Sequence, residues 1–540
     1  MYKYFLIFVV LSFLACDKEE SIIKDFTLKS VTIDNNPQLA PRDISLQPKI
    51  KIQFSNPISA SSILPGIRIN GYSGEYDVSV EDSTVILNPK EKLSYLTKYF
   101  VEVNSDLKDV NNQSLEKAVY YEFYTVLDTM DKLERISDEA LLDSVQRRTF
   151  RYFWDFGHPV SGLSRERNTS GDLVTSGGSG FGVMTIPIGI ERGYITREEG
   201  LTRMIVMVDF LLNKAERFHG AFPHWLNGAT GKTIPFSSKD DGADLVETSF
   251  LIAGLLTVRQ YFNRADPVES KLRADINKIW EEVEWDWFTQ GGKEVLYWHW
   301  SPTHGWAVNL PINGWNECLI TYILAASSPT HAISPAVYHK GWAGNGSIVN
   351  NKISYGINLP LGRGSGGPLF FEHYTFLGID PIGLKDQYAD YGQQVEAHTL
   401  INRAYCIANP KNYYGYSAQC WGLTAGDIYS GYTASSPDND VSVITPTAAI
   451  SSIGYTYAES MEALRYFYYK LGDRLWGPMG FYDGFSLHKA WFATSTLAID
   501  QGPILIMIEN HRSGLLHDLL MNAPEVQVGM KGLGFTSPYF

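Results

Sequence analysis

The sequence predicts two domains of different class, a small all-β sandwich followed by a large all-helical (α/α) barrel. Three observations predict it. Residues 26–127 carry short runs of alternating apolar and polar side chains separated by turn residues, which is the period of half-buried strands. From Asp128 onward apolar residues recur at helical spacing in eight segments. Between those segments lie long connections rich in Gly, Pro and aromatic residues, and links of that length are usually functional.

The strand runs are Lys49–Phe54, Asp77–Val80, Thr84–Leu87, Tyr99–Val103 and Tyr121–Thr125. Asn56-Pro57, Asn70-Gly71, Ser73-Gly74, Asn88-Pro89 and Asn111-Asn112 punctuate them. Several short strands in about 100 residues describe a sandwich. No reactive cluster falls inside it, so a spacer role is expected ahead of glycan binding. The first helix reads from Asp138 to Phe156, with Leu141, Leu142, Val145, Phe150, Phe153 and Trp154 on its apolar face. Ser137 stands ready to cap it. Further helical segments are Thr196–Phe218, Asp244–Asn263, Ser270–Trp287, Trp315–Ala326, Gly392–Ala408, Tyr457–Leu471 and Gln501–Gly514. Gly157–Pro187, Gly220–Gly242 and Gly356–Leu369 read as loops. Helices whose alternate connections are elaborate suggest a barrel with a loop-built cleft. A solenoid is the alternative, but no fixed-period repeat supports it.

The N-terminus reads as an export signal. One charge, Lys3, precedes the apolar run Tyr4–Ala15, which is too short to span a bilayer. Leu14-Ala15-Cys16 resembles a bacterial lipobox, with Phe13 where Leu is usual. Residues 1–16 are therefore expected to be a lipoprotein signal with lipidation at Cys16, and residues 17–25 a linker. The expected location is the outer membrane, facing the periplasm or the cell surface, with the lipid as the only membrane contact. Cys318, Cys406 and Cys420 lack zinc spacing and suit buried small side chains. The net charge of -14 argues against nucleic acid, since polyanions need basic surfaces. The 13% aromatic content suits a carbohydrate ligand, or simply a large core. No cofactor or metal is called for, and a monomer is expected.

Three segments carry candidate chemistry. Lys239–Phe250 opens a helix with Asp244 and Glu247 three residues apart, hence on one face. Acidic residues also favour helix N-termini through the dipole, but four carboxylates within eight residues exceed that need. Pro311–Ile320 places Glu317 beside Trp315 and Asn316. Leu497–Asn510 places Asp500 and Gln501 at the start of an apolar segment, with Glu509 inside it needing a partner if buried. Glycoside hydrolysis requires a protonated carboxyl and a second, ionised one. The catalytic candidates are Asp244, Glu247 and Glu317. His373, in Phe371-Glu372-His373-Tyr374, reads as a hydrogen-bonding cleft residue. No G-x-S-x-G elbow, Walker loop or H-E-x-x-H is present.

Longer stretches carry a resemblance. Ile52–Ile58, Leu93–Val103 and Tyr121–Thr125 resemble bacterial Ig-like domains. Gln146–Asp155 with His158-Pro159 and Gly162-Leu163, Gly366–Phe371 with Tyr374, and Asp500–Pro503 with Glu509-Asn510 and Arg512–Gly514 resemble bacterial glucoamylase-like domains. The nearest family is glycoside hydrolase family 144. The resemblance covers Asp131 to the C-terminus and implies an (α/α)6 barrel over residues 128–540. It also implies an inverting hydrolase of β-1,2-glucan or its oligosaccharides, acting within chains or releasing sophorose from ends. It implies catalytic roles among Asp244, Glu247 and Glu317. Trp315, Asn316, Glu372, His373, Tyr374, Asp500 and Gln501 are the expected substrate contacts. Two other functions compete: a non-catalytic surface glycan-binding lipoprotein, and a hydrolase or lyase of the same fold acting on another linkage. The acidic trio favours catalysis, and no Arg/Lys cluster suited to a uronate is evident.

Overall fold

The computed structural model describes residues 25–540. Cys16 and the proposed leader lie outside the described residues. The chain divides into two compact units between Asp128 and Thr129.

The first unit is a sandwich of two antiparallel sheets. Strands β1 (Leu28–Ile33), β2 (Ile50–Phe54), β4 (Tyr76–Glu81) and β5 (Thr84–Pro89) form one sheet in the order β1-β2-β5-β4. Strands β3 (Ile67–Asn70), β6 (Lys98–Val103) and β7 (Val119–Tyr124) form the other, in the order β3-β6-β7. Alternation sets the register: Ile50 faces Leu87 and Ile52 faces Val85 across β2 and β5. Ile67 faces Val103 and Ile69 faces Val101 across β3 and β6. All eight are buried in one core between the sheets. A one-residue slip would turn each of them to solvent. Strands β1 and β3 are additions to the runs that alternation singles out.

The second unit is helical, with small two- and three-stranded sheets. Its main helices are α1 (Asp138–Trp154), α2 (Ser176–Glu191), α3 (Arg197–Asn213), α4 (Leu245–Tyr261), α5 (Pro267–Glu281) and α6 (Leu319–Ser327). They continue with α7 (Tyr391–Ala408), α8 (Pro446–Ile450), α9 (Tyr457–Arg465) and α10 (Ala498–Ser513). Nearly every residue of α2, α4, α6 and α8 is buried. Helices α1, α3, α5 and α9 bury one face and expose the other. A helix apolar all round belongs inside, and an amphipathic one covers it. Helix α2 packs on α4 and α10, and α4 packs on α6.

Helix α2 corrects the sequence reading, which takes Gly157–Pro187 as a loop. Gly177, Gly178, Gly180 and Gly182 crowd its first turns, and such a run signals irregular backbone. Here the glycines serve close packing. A Cβ on Gly180 would lie 2.2 Å from the Phe250 carbonyl oxygen, and one on Gly254 would lie 2.3 Å from that of Gly180. The backbones of α2 and α4 therefore touch, and burial outweighs the helix cost of about 1 kcal/mol per glycine. Likewise, part of the expected Gly356–Leu369 loop is the return strand Ile357–Leu361 of a hairpin with Val349–Ser354. Asp500 lies in the first turn of α10, not ahead of it.

Glu509 on α10 finds the partner that its burial demands. Arg192 donates to both carboxylate oxygens at 2.8 and 2.9 Å, and Gln146 and Ser513 add donors at 3.0 and 2.6 Å. Cys318, Cys406 and Cys420 are buried free thiols. Among the described residues no helix is long and apolar enough to cross a membrane.

Candidate active site

Helix α4 starts at a fully buried carboxylate. Asp244 is its N-cap, and its Oδ1 accepts from the N–H groups of Val246 and Glu247 at 3.0 and 2.9 Å. Its Oδ2 faces two imidazoles, His224 Nδ1 at 2.9 Å and His299 Nε2 at 3.5 Å. His299 also reaches Asp240 at 3.2 Å. Burial opposes ionisation of Asp244, but the hydrogen bonds from His224 and His299 outweigh it and hold the carboxyl well below the usual range. Burial also opposes the imidazolium of His224, yet the Glu247 charge and the bond to Asp244 lift it to about 9. His299 rises to about 10 against its own burial, through Asp240 and Asp244. His224, Asp240 and Asp244 offer ligand atoms within 4.8 Å of one another and could hold a cation. The two imidazolium groups already supply positive charge there.

Glu247 lies one turn on and turns toward a cavity. Its Oε2 accepts from Thr175 Oγ1 at 3.0 Å and from the Gly177 N–H at 2.7 Å. A Cβ on Gly177 would sit 2.6 Å from that oxygen, so glycine is what lets the backbone approach. His224 Nε2 stands 4.0 Å from Glu247 Oε1. Burial raises the proton affinity of Glu247 and the neighbouring Asp244 charge adds to it, against His224, Gly177 and Thr175.

Glu317 lies two residues before α6, and its carbonyl accepts from Thr375 Oγ1 at 2.8 Å. Asn316 Oδ1 accepts from the Cys318 N–H at 2.9 Å and fixes the turn. Burial lifts the Glu317 carboxyl to about 7 against a backbone hydrogen bond, and the charges of Glu247 and Asp244 push the same way. The three carboxylates thus share one electrostatic neighbourhood, in which Asp244 is lowered and Glu247 and Glu317 are raised.

The remaining sequence candidates divide. Tyr374 lines the cavity with Glu247, His224, Trp225, Phe236 and Tyr432, a space of about 360 Å³. Trp315 and Asn316 line a second cavity of about 610 Å³, with Trp342, Arg363, Phe371 and Asp438. Glu372, expected at the substrate, is fully buried instead. Its Oε1 accepts from Trp315 Nε1 at 2.7 Å, Gln394 Nε2 at 2.9 Å and His398 Nδ1 at 2.6 Å, so it braces the wall that carries Trp315. His373 is also buried, bonded to Ser452 at 2.9 Å, and burial together with His398 depresses it to about 3. It is a neutral packing group. Gln501 donates to the Phe481 carbonyl at 2.7 Å and is buried too. Asp500 pairs with Asp483, carboxyl to carboxyl, and both are buried. Burial raises both: Asp483 goes to about 6 against its hydrogen bond with Asp500, and Asp500, which the Asp483 charge also raises, goes well above the usual range. Two such groups in contact must hold a proton between them.

Sequence reasoning missed His224, His299, Asp483, Trp225, Phe236 and Tyr432. A usable signal for two of them was the tract Pro223-His224-Trp225 within the long Gly220–Gly242 connection. The assembly offers a proton donor, a second carboxylate and aromatic walls, the requirements for acid–base cleavage of a glycosidic bond.

The comparisons with known proteins agree with this chemistry. Residues 309–524 match the family model described as "Putative glucoamylase", and residues 25–125 match the bacterial Ig-like domain. An exo β-1,2-glucooligosaccharide sophorohydrolase (non-reducing end) from Parabacteroides distasonis is 45% identical over 419 residues, 73% of this chain. The chain spans 58% of that relative's length. The structure of an endo-β-1,2-glucanase from Chitinophaga pinensis, with sophorotriose and glucose, is 52% identical. It covers 75% of this chain and 100% of its own, with a TM-score of 0.74. A β-1,2-glucanase structure from Parabacteroides distasonis is 37% identical and covers 95% of this chain and 73% of its own, with a TM-score of 0.73. By this kinship the chain belongs to the glucoamylase-like family, glycoside hydrolase family 144, and carries a bacterial Ig-like domain at its N-terminal side.

Proposed function

We propose that the protein hydrolyses β-1,2-glucan or β-1,2-glucooligosaccharides with inversion at the anomeric carbon, acting as a monomer. The observation that carries this reading is Glu247 in an aromatic-walled cavity at the start of α4, with Glu317 near the start of the neighbouring buried helix α6 and close enough for the Glu247 charge to raise it. Glu317, lifted to about 7, keeps its proton in about half of the molecules at neutral pH and donates it to the leaving oxygen. Glu247, with Oε2 held by two donors, accepts the proton of the attacking water. Asp244, His224 and His299 form the charged floor that orients Glu247. Tyr374, Trp225 and Phe236 offer apolar faces to the sugar rings. In this reading the inner helices, with α2 joining α4 to α10, close into an (α/α)6 barrel whose connecting loops wall the cleft. Export and anchoring through a lipidated Cys16 complete the proposal, and mass spectrometry of the native N-terminus tests that part.

The functional test is incubation with linear β-1,2-, β-1,3-, β-1,4- and α-1,4-glucans, with products resolved by chromatography and the new anomer followed by NMR. The expected result is cleavage confined to the β-1,2 linkage, with inverted configuration. Cleavage of starch alone, or retention of configuration, would refute it.

A further inference from the structure

A third cavity of the helical unit, about 570 Å³, is lined by Arg167, Asn168, Asp427, Tyr432, Trp491 and Ser495 among others. It shares Arg167 and Tyr432 with the cavity that contains Glu247, so the two meet along one wall. It shares no lining residue with the cavity of Trp315 and Asn316. The reaction cavity thus has a second flank that the proposed catalytic scheme leaves unused.

The walls of this flank are built and pinned. Arg167 Nη1 donates to both Asp427 oxygens at 3.1 and 3.0 Å, and its Nε and Nη2 bond to Glu166. Ser495 Oγ donates to Asp427 Oδ2 at 2.5 Å. Asn168 is tied to the segment after Trp491–Phe492 through its N–H to the Thr496 carbonyl at 3.0 Å and its amide to the Thr494 carbonyl at 2.9 Å. Trp491 sits on a short antiparallel pair opposite Ser486, one residue from the stacked Phe485 and Phe492 rings, which lie 5.7 Å apart. Its edge meets Tyr429 at 6.5 Å.

This chemistry selects among ligand classes. The one guanidinium lining the cavity is balanced by two carboxylates, so the cavity does not call for an anion. Those carboxylates are themselves paired with Arg167, so it does not call for a cation either. What remains open is a half-buried indole, the exposed phenol of Tyr432 and the exposed hydroxyls of Thr169 and Thr494. A neutral ligand with flat C–H faces and a rim of hydroxyls fits that set. We propose that this cavity is a distal glucosyl-binding subsite, in which Trp491 supports a sugar ring beyond the reaction cavity on the Tyr432 side. The inference rests on the β-1,2-glucan reading. It makes the enzyme sensitive to chain length.

The test compares wild type, Trp491→Ala and Trp491→Tyr on long linear β-1,2-glucan and on a β-1,2-linked trisaccharide. Loss of one ring stack predicts a KM on the long glucan raised about five- to tenfold, with kcat within twofold. The trisaccharide kinetics should stay unchanged, and Trp491→Tyr should restore most of the polymer KM. Calorimetric titration of long glucan into Glu317→Gln, with and without Trp491→Ala, should show the same loss of affinity without turnover. An unchanged polymer KM and affinity in Trp491→Ala overturns the subsite while leaving the functional reading intact. An equal loss on both substrates, not restored by Trp491→Tyr, also overturns it. A wild-type protein that neither binds nor cleaves β-1,2-glucan overturns the functional reading, and this inference with it.

Discussion

Glu317→Gln separates function from stability, because the same burial that makes Glu317 an acid makes it a liability to the fold. Its carboxyl moves from an ordinary 4.5 to about 7 in the native protein. A carboxyl raised on folding is held neutral in the native state, so the native state binds the extra proton. Its contribution is therefore intact below about pH 4.5 and is lost as pH rises toward 7. Ionising it costs the native state about 3 kcal/mol at most. Glutamine has the same shape and no charge to desolvate. Wild type and Glu317→Gln should therefore melt together at pH 4.5. At pH 8 the variant should be the more stable, by up to about 3 kcal/mol, which is a few degrees in a domain of this size. All other titrating groups are common to both proteins, so the difference between their melting curves isolates Glu317. Over the same range kcat on β-1,2-glucan should fall by about a hundred- to ten-thousand-fold. Scanning fluorimetry at the two pH values and product assays on one preparation make the measurement. Equal melting at both pH values would refute the burial argument, and retained turnover would refute the acid assignment.

Four further outcomes follow from other parts of the helical unit and from the domain division. Asp244→Asn removes the carboxylate that His224 and His299 share, leaving them Glu247 at 4.0 Å and Asp240 at 3.2 Å, so stability should drop by no more than about 3–5 kcal/mol, measured by urea unfolding at pH 7. Since both imidazoles are raised, to about 9 and about 10, their share of stability is full below about 6.5 and fades as pH climbs past those values. The wild-type advantage over Asp244→Asn should therefore shrink above pH 9. Asp483→Asn removes a carboxyl raised to about 6, and should flatten the loss of stability between pH 4 and pH 6 relative to wild type. Gly180→Ala drives a methyl into the Phe250 carbonyl and should cost about 1–3 kcal/mol, seen as a lower melting temperature. A chain beginning at Thr129 should retain most activity on soluble oligosaccharides, because the sandwich holds no reactive cluster, and a folded but inactive product would contradict that.

The sandwich was legible because one face of each strand is buried and alternation writes that fact into the sequence. Helices α1, α3, α5 and α9 were legible for the related reason that water touches one side of them. Helix α2 was hidden by its own packing. The helices α4 and α6 are as fully buried and were still legible, but in α2 the glycines that let it touch α4 are the residues that advertise a loop. Its start, Thr175 to Gly177, supplies both donors to Glu247. Misreading that segment therefore hid part of the site as well as part of the fold.

The carboxylates themselves were legible, but their ranking was not. Asp244, Glu247 and Glu317 look alike in sequence, each near a helix start, and a helix dipole would lower all three. Contacts from distant segments decide otherwise. Two imidazoles, from residues 224 and 299, make Asp244 the strongest acid of the group and the least able to carry a proton. Glu247 keeps two hydrogen-bond donors and a cation 4.0 Å away. Burial and the repulsion of the other two raise Glu317 against one backbone hydrogen bond, and so it holds its proton into the neutral range. Remove His224 and the proton affinities of Asp244 and Glu247 rise without any carboxylate being touched. Asp244 loses its main counter-charge, Glu247 loses the neighbour that favours its ionised form, and the proton now divided between Glu317 and its partners is shared differently. The division of labour between acid and base is thus a property of the histidine floor as much as of the carboxylates, and that floor is assembled only by folding.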